Sequence, residues 1–236
     1  MGLTIHYGLT TDLSKPSDVR QLVEAVRQFA LDLPFENVSE IIEFTGDETE
    51  PEDETARWLR IQSESHVEVG HYHYRVPPKH CIAFSTWPGQ GCEAANFGFC
   101  KYPAFIMVEG KRIATKRKGW SWCSFCKTQY ASDPQVGGVQ HFLRCHLGVI
   151  KVLDFLKATE LAQVEVSDEG GYFEQRDVKA LVQEVGEWNE FIAGFTGELK
   201  DAIGPQLEAA ITSFPHFEHL EARGLARLEK LRREKS

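Results

Sequence analysis

Residues 3–44 read LTIHYGLTTDLSKPSDVRQLVEAVRQFALDLPFENVSEIIEF, and this opening decides the fold class. Leu3 to Tyr7 alternates as a strand does. Val19, Leu22, Val23, Val26, Phe29, Ala30 and Leu33 then recur at helical spacing. Pro16, Ser17 and Asp18 suit the start of that helix, and Pro34 stops it. Val38 to Phe44 reads as a second strand. Strand, helix, strand is the first statement the chain makes.

The next stretch extends the sheet. Trp58 to Gln62 predicts a strand. His71 to Val76 alternates, with Tyr72, Tyr74 and Val76 on one face and His71, His73 and Arg75 on the other. Cys81 to Ser85 is a further short strand. Residues 86–103 are rich in Gly, Pro, Cys and Asn and read as a long ordered loop. Phe105 to Val108 and Lys111 to Thr115 flank a Glu109-Gly110 turn. The last hundred residues are mainly helical. A helix starts near Gly138, and Val164 to Val166 makes a strand. Val178, Leu181, Val182, Val185, Trp188, Ile192, Phe195, Leu199 and Ile203 form one helical stripe ended by Gly204-Pro205. An amphipathic helix follows from His216. The expectation is an α+β protein with a mainly antiparallel sheet packed by helices and a helical C-terminal region. Two β-α-β-type halves, 1–103 and 104–236, are one arrangement this order allows; a single compact domain is the other.

Composition narrows the class. The net charge is −9, which argues against a nucleic-acid partner, since phosphate binding needs concentrated Lys and Arg. The charge is uneven: an acidic run spans 46–54, and Lys111, Arg112, Lys116, Arg117 and Lys118 form a basic one. Both read most simply as solvated loops or edges. Apolar runs stop well short of about 18 residues, so no membrane partner is expected. The start carries no basic n-region or apolar h-region, and a cytoplasmic location follows. Met1-Gly2 lacks the Ser or Thr at position 6 that myristoylation wants. A protein partner, or self-association through the Leu-rich C-terminal helix, fits as well as that helix folding back.

All six cysteines lie between Cys81 and Cys145, and six of nine histidines between His66 and His146. Cys123 and Cys126 form a C-x2-C, and His141 and Cys145 stand at i and i+4. With the first pair on a tight turn and the second on a helix face, the four could hold one zinc ion in a closed structural site. Residues 120–147 resemble a ββα zinc finger, with Tyr130 and Val136 in place of its core residues and a longer separation around Gly137-Gly138. A structural zinc would then act in binding or assembly. Plain buried thiols are the competing reading.

Trp122-Cys123-Ser124-Phe125-Cys126-Lys127 also resembles the thioredoxin-family W-C-x-x-C-K box. That resemblance implies a thiol–disulfide oxidoreductase with Cys123 as nucleophile and Cys126 as resolving thiol, on a helix start. A third set, His71, His73 and His80, with Glu93 as general base, has the make-up of a metal-dependent hydrolase. Wet polar residues on an amphipathic strand explain it equally. Cys81, Cys92 and Cys100 show no ligand spacing and are expected to pack. Trp120 and Trp122 beside the basic run could stack on bases, or alternate on a half-buried strand.

Overall fold

A computed structural model describes residues 3–46, 53–204 and 209–234. The elements run β1 (Thr4–Thr11), α1 (Pro16–Leu31), β2 (Asn37–Val38), β3 (Ile42–Thr45), α2 (Glu54–Gln62), β4 (Ser65–Val69) and β5 (Tyr72–Val76). There follow β6 (His80–Trp87), β7 (Ala95–Lys101), β8 (Phe105–Val108), β9 (Lys111–Ala114) and β10 (Trp120–Lys127). The chain ends with α3 (Gly138–Ala158), β11 (Gln163–Asp168), α4 (Tyr172–Gln175), α5 (Val178–Ile203) and α6 (Phe217–Glu234). Of the acidic run, residues 47–52 lie outside the described residues, as do Met1, Gly2 and Pro205.

One antiparallel sheet organises the molecule, in the order β11-β1-β10-β7-β6-β2, with β3 also on β6. β10 and β11 both pair antiparallel with β1, so they run parallel with β1 between them, joined by α3. β1, α1 and β2 make a wider crossover in the same sheet. Both helices lie on one face. α1 buries Val19, Leu22, Val23, Val26 and Ala30, and Phe29 stacks on Phe155 of α3 at 4.4 Å. Such a ring pair is worth about 0.5–1.5 kcal/mol beyond its burial. Ile5, Leu9, Phe84, Phe97, Trp122, Val149 and Leu153 share a single core cluster. The expected α+β class, with its large antiparallel sheet and helical end, is what the chain forms.

Three local expectations fail. Residues 58–62 are helix, because Asp53 caps Ala56 N and the turn buries Ala56 and Leu59 while Trp58 faces out. The segment read as a loop contains β7, every residue of which is buried save Lys101. Gly98 disguised it: a Cβ there would collide with Ala83 on β6, so this strand requires the residue that otherwise breaks strands. The C-x2-C is strand, not turn. The stretch 38–44 is two short pieces, both paired with β6.

α5 and α6 form a closely packed hairpin. Gly194 and Gly224 meet where a Cβ on either would strike the other helix's backbone. Leu181 and Val185 root α5 against Leu3, Phe142 and Cys145. The Leu-rich tail therefore folds back on α5. Among the described residues no helix is long and apolar enough to cross a membrane.

Candidate functional site

The strand pleat divides the predicted zinc ligands. Residues three apart on a strand point to opposite faces. Cys126 sits opposite Ile5 and is fully buried; Cys123 sits opposite Gly8 and is exposed. Cys123 opens onto a shallow depression of about 610 Å³ shared with His6, Glu165 and Gln62. Cys126 Sγ reaches the backbone oxygen of Glu93 at 3.2 Å, and burial pushes its thiol pKa up. The two thiols of the W-C-x-x-C-K box thus do not face one another, and no helix starts there. Glu93 is tied to the end of β10 through Lys127 N at 3.3 Å. His71 and His73 are exposed on the β4–β5 hairpin, whereas His80 belongs to the main sheet, 2.7 Å from Glu43 Oε1 and tilted against Trp120. Trp120 and Trp122 are buried and unavailable for stacking on bases. Among the described residues no group of three or more His, Cys, Asp or Glu is arranged to hold a metal ion.

His141 and Cys145 do come together, one turn apart on α3, and Cys92 joins them. The residue that sequence reasoning missed is Cys92, which lies in the Pro88-Gly89-Gln90-Gly91-Cys92 loop. Nothing in its spacing pointed to α3. That loop approaches closely because Gly89 has no side chain. A Cβ there would stand 2.7 Å from His141 Cε1 and 2.9 Å from Cys145 Sγ. Gln90 N donates to Glu36 Oε1 at 3.2 Å, which holds the loop in place.

The polar contacts fix the state of each group. His141 Nε2–H donates to Gln90 O at 2.9 Å, and Nδ1 accepts from Arg144 Nη2 at 2.8 Å. These two partners select the Nε2–H tautomer and occupy both ring nitrogens. Cys145 Sγ lies 3.7 Å from His141 Nε2. As a thiol it donates to Pro88 O at 3.3 Å. As a thiolate it accepts from the Cys92 thiol and faces the Arg144 guanidinium. The hydrogen bond from Cys92 and the Arg144 charge outweigh burial, so the Cys145 pKa falls below the ordinary thiol value. The same hydrogen bond, with burial, raises Cys92. Glu36, Gln90, Cys92 and Arg144 form the solvent edge; Gly89, His141 and Cys145 form the floor.

A second polar cluster lies one residue further along α3. His146 Nδ1 is 2.9 Å from Thr128 Oγ1, and Nε2 is 3.2 Å from Asp168 Oδ1. Asp168 also accepts from Gly170 N and Phe173 N, both at 2.9 Å. Burial pushes its carboxyl up, but the bond from His146 and the two backbone N–H groups more than offset this and hold the pKa below the usual range. Hydroxyl, imidazole and carboxylate stand in the order of a catalytic triad. The His146 and Asp168 side chains have 0% exposure, and their polar atoms are paired within the fold. Their role is to tie the ends of β10 and β11 to α3.

Cys81 and Cys100 stand directly opposite on β6 and β7, and burial raises the Cys81 pKa. They pack, as expected. No protein-family model, curated protein or solved structure matches the chain.

Proposed function

We propose that Cys145 and Cys92 are a redox-active dithiol that reduces a small hydroperoxide. The observation that carries this reading is Cys92 packed on the cluster that holds the buried Cys145, whose sulfur lies against Pro88 O and His141 beneath the Gly89 loop; the Cys92 hydrogen bond and the Arg144 charge lower the Cys145 pKa. The thiolate is the nucleophile. Cys145 is fully buried, which shuts out protein disulfides as its oxidant.

The thiolate attacks the terminal peroxide oxygen. An S–O bond forms, the O–O bond breaks, and the alkoxide leaves as alcohol with the proton that Cys145 released. The Cys92 sulfur then attacks the sulfenic acid. An S–S bond forms, the S–O bond breaks, and hydroxide leaves as water with the Cys92 proton. Two thiols and one hydroperoxide become one disulfide, one alcohol and one water. An external dithiol, itself oxidised to a disulfide, restores the pair.

A zinc staple acting in binding or assembly is the second reading. Of the four predicted ligands, His141 and Cys145 remain close, with Sγ 3.7 Å from Nε2. The Arg144 guanidinium and the occupied nitrogens of His141 weigh against it. Titration of thiolate absorbance, with Cys145→Ser as the subtraction, separates the readings. A Cys145 midpoint below about 8.5 in metal-free protein supports the dithiol. About one zinc per chain, lost with Cys145→Ser, overturns it.

A further inference from the structure

We infer that the two small hairpins beside the main sheet form a groove for single-stranded nucleic acid. This rests on a different part of the molecule from the dithiol and stands without it. β4–β5 and β8–β9 are separate two-stranded sheets, and the strands β4 and β9 line a groove of about 840 Å³ between them. His66, Arg112, Lys116 and Arg117 line it, and among its described lining residues the one carboxylate is Glu68.

The local charge reverses that of the whole protein. Residues 101–118 carry six cations, Lys101, Lys111, Arg112, Lys116, Arg117 and Lys118, against one acid, Glu109, in a chain of net charge −9. Among the described residues, Arg112, Lys116 and Arg117 make no ion pair. Acidic side chains elsewhere on this protein have claimed most of the other arginines. Cations left unpaired on an acidic protein keep their full attraction for phosphate.

Aromatic faces supply the second element. Tyr72 and Tyr74 lie on β5 across from Val69 and Val67, one strand away from the groove rim that β4 forms. Their rings are 6.4 Å apart, and Tyr72 is 71% exposed. Across the groove the exposed Arg112 guanidinium lies 3.6 Å above the Phe105 ring. A cationic track with tyrosine and arginine planes beside it is what sequence-tolerant binding of single strands requires: phosphates on the charges, bases on the planes. An acidic peptide would use the charges and leave the tyrosines idle.

The test is fluorescence anisotropy with a labelled oligo-dT of about 15 nucleotides, titrated with the full chain at several salt concentrations. Binding should weaken about tenfold or more between roughly 50 and 200 mM salt, as three neutralised phosphates require. Tyr72→Ala should weaken it about tenfold. Glu68→Lys should tighten it several-fold, a gain that misfolding cannot produce. The inference is overturned if the wild-type protein does not bind. It is equally overturned if Tyr72→Ala binds as well as wild type, if Glu68→Lys does not tighten binding, or if a poly-glutamate peptide or vesicles of anionic lipid compete at equal charge.

Discussion

His141 and His146 lie on one helix, five positions apart, and meet opposite fates. His141 lies under the exposed Arg144, between Gln90 O and that guanidinium, with a sulfur beside its ring. His146 is shut in, between a threonine hydroxyl and a carboxylate, with every polar atom of the cluster answered. The fully satisfied cluster looks more like an enzyme in its residue types, yet it has no access and serves the fold. The less regular cluster has the perturbed thiol and the solvent edge, and it carries the chemistry. Cys145 is as buried as His146; what sets its cluster apart is the exposed rim of Gln90 and Arg144 and the perturbed thiol beneath it.

Breaking the His146 cluster should have the largest effect. Asp168→Ala leaves the imidazole and the N–H groups of Gly170 and Phe173 without an acceptor inside the protein. It should cost about 3 kcal/mol or more in urea unfolding. The carboxyl is held below its ordinary value of 3.8, so its contribution is complete above that pH. It is lost as pH falls through the lower folded value. Asp168→Asn should flatten that acid limb of the stability curve.

The His141 cluster should respond more in reactivity than in stability. Gly89→Ala forces a methyl against His141 and Cys145, and should cost about 1–3 kcal/mol while disturbing the thiolate titration. Arg144→Gln should leave stability within about 0.5 kcal/mol, because the side chain is exposed at the edge. It should raise the Cys145 midpoint, measured by thiolate absorbance. Cys123→Ser, on the open face of the sheet, should change unfolding by no more than about 0.5 kcal/mol and leave that midpoint where it was.

The sequence made the fold class readable because its strongest signals are periodic. The alternation of Leu3 to Tyr7 reports burial directly, and the stripe beginning at Val178 reports the helix α5, of which Leu181 and Val185 are buried. It misled where one residue type serves two purposes. Gly98 marks close contact between strands and looks like a loop. Asp53 caps a helix whose apolar residues are too few to show their spacing. The site was half legible. The i, i+4 pairing of His141 and Cys145 is local and survives. Cys123 and Cys126 share a motif whose meaning depends on the backbone, and a strand sends them apart. Cys92 comes from a distant loop, and only the tertiary fold brings it to Cys145.

The most direct measurement is to map disulfides by mass spectrometry after brief treatment of the native protein with a small hydroperoxide, with remaining thiols alkylated. The account predicts a Cys92–Cys145 disulfide, reversed by an external dithiol, while Cys126 stays reduced. An unmodified Cys145 under conditions that oxidise the exposed Cys123 would contradict it.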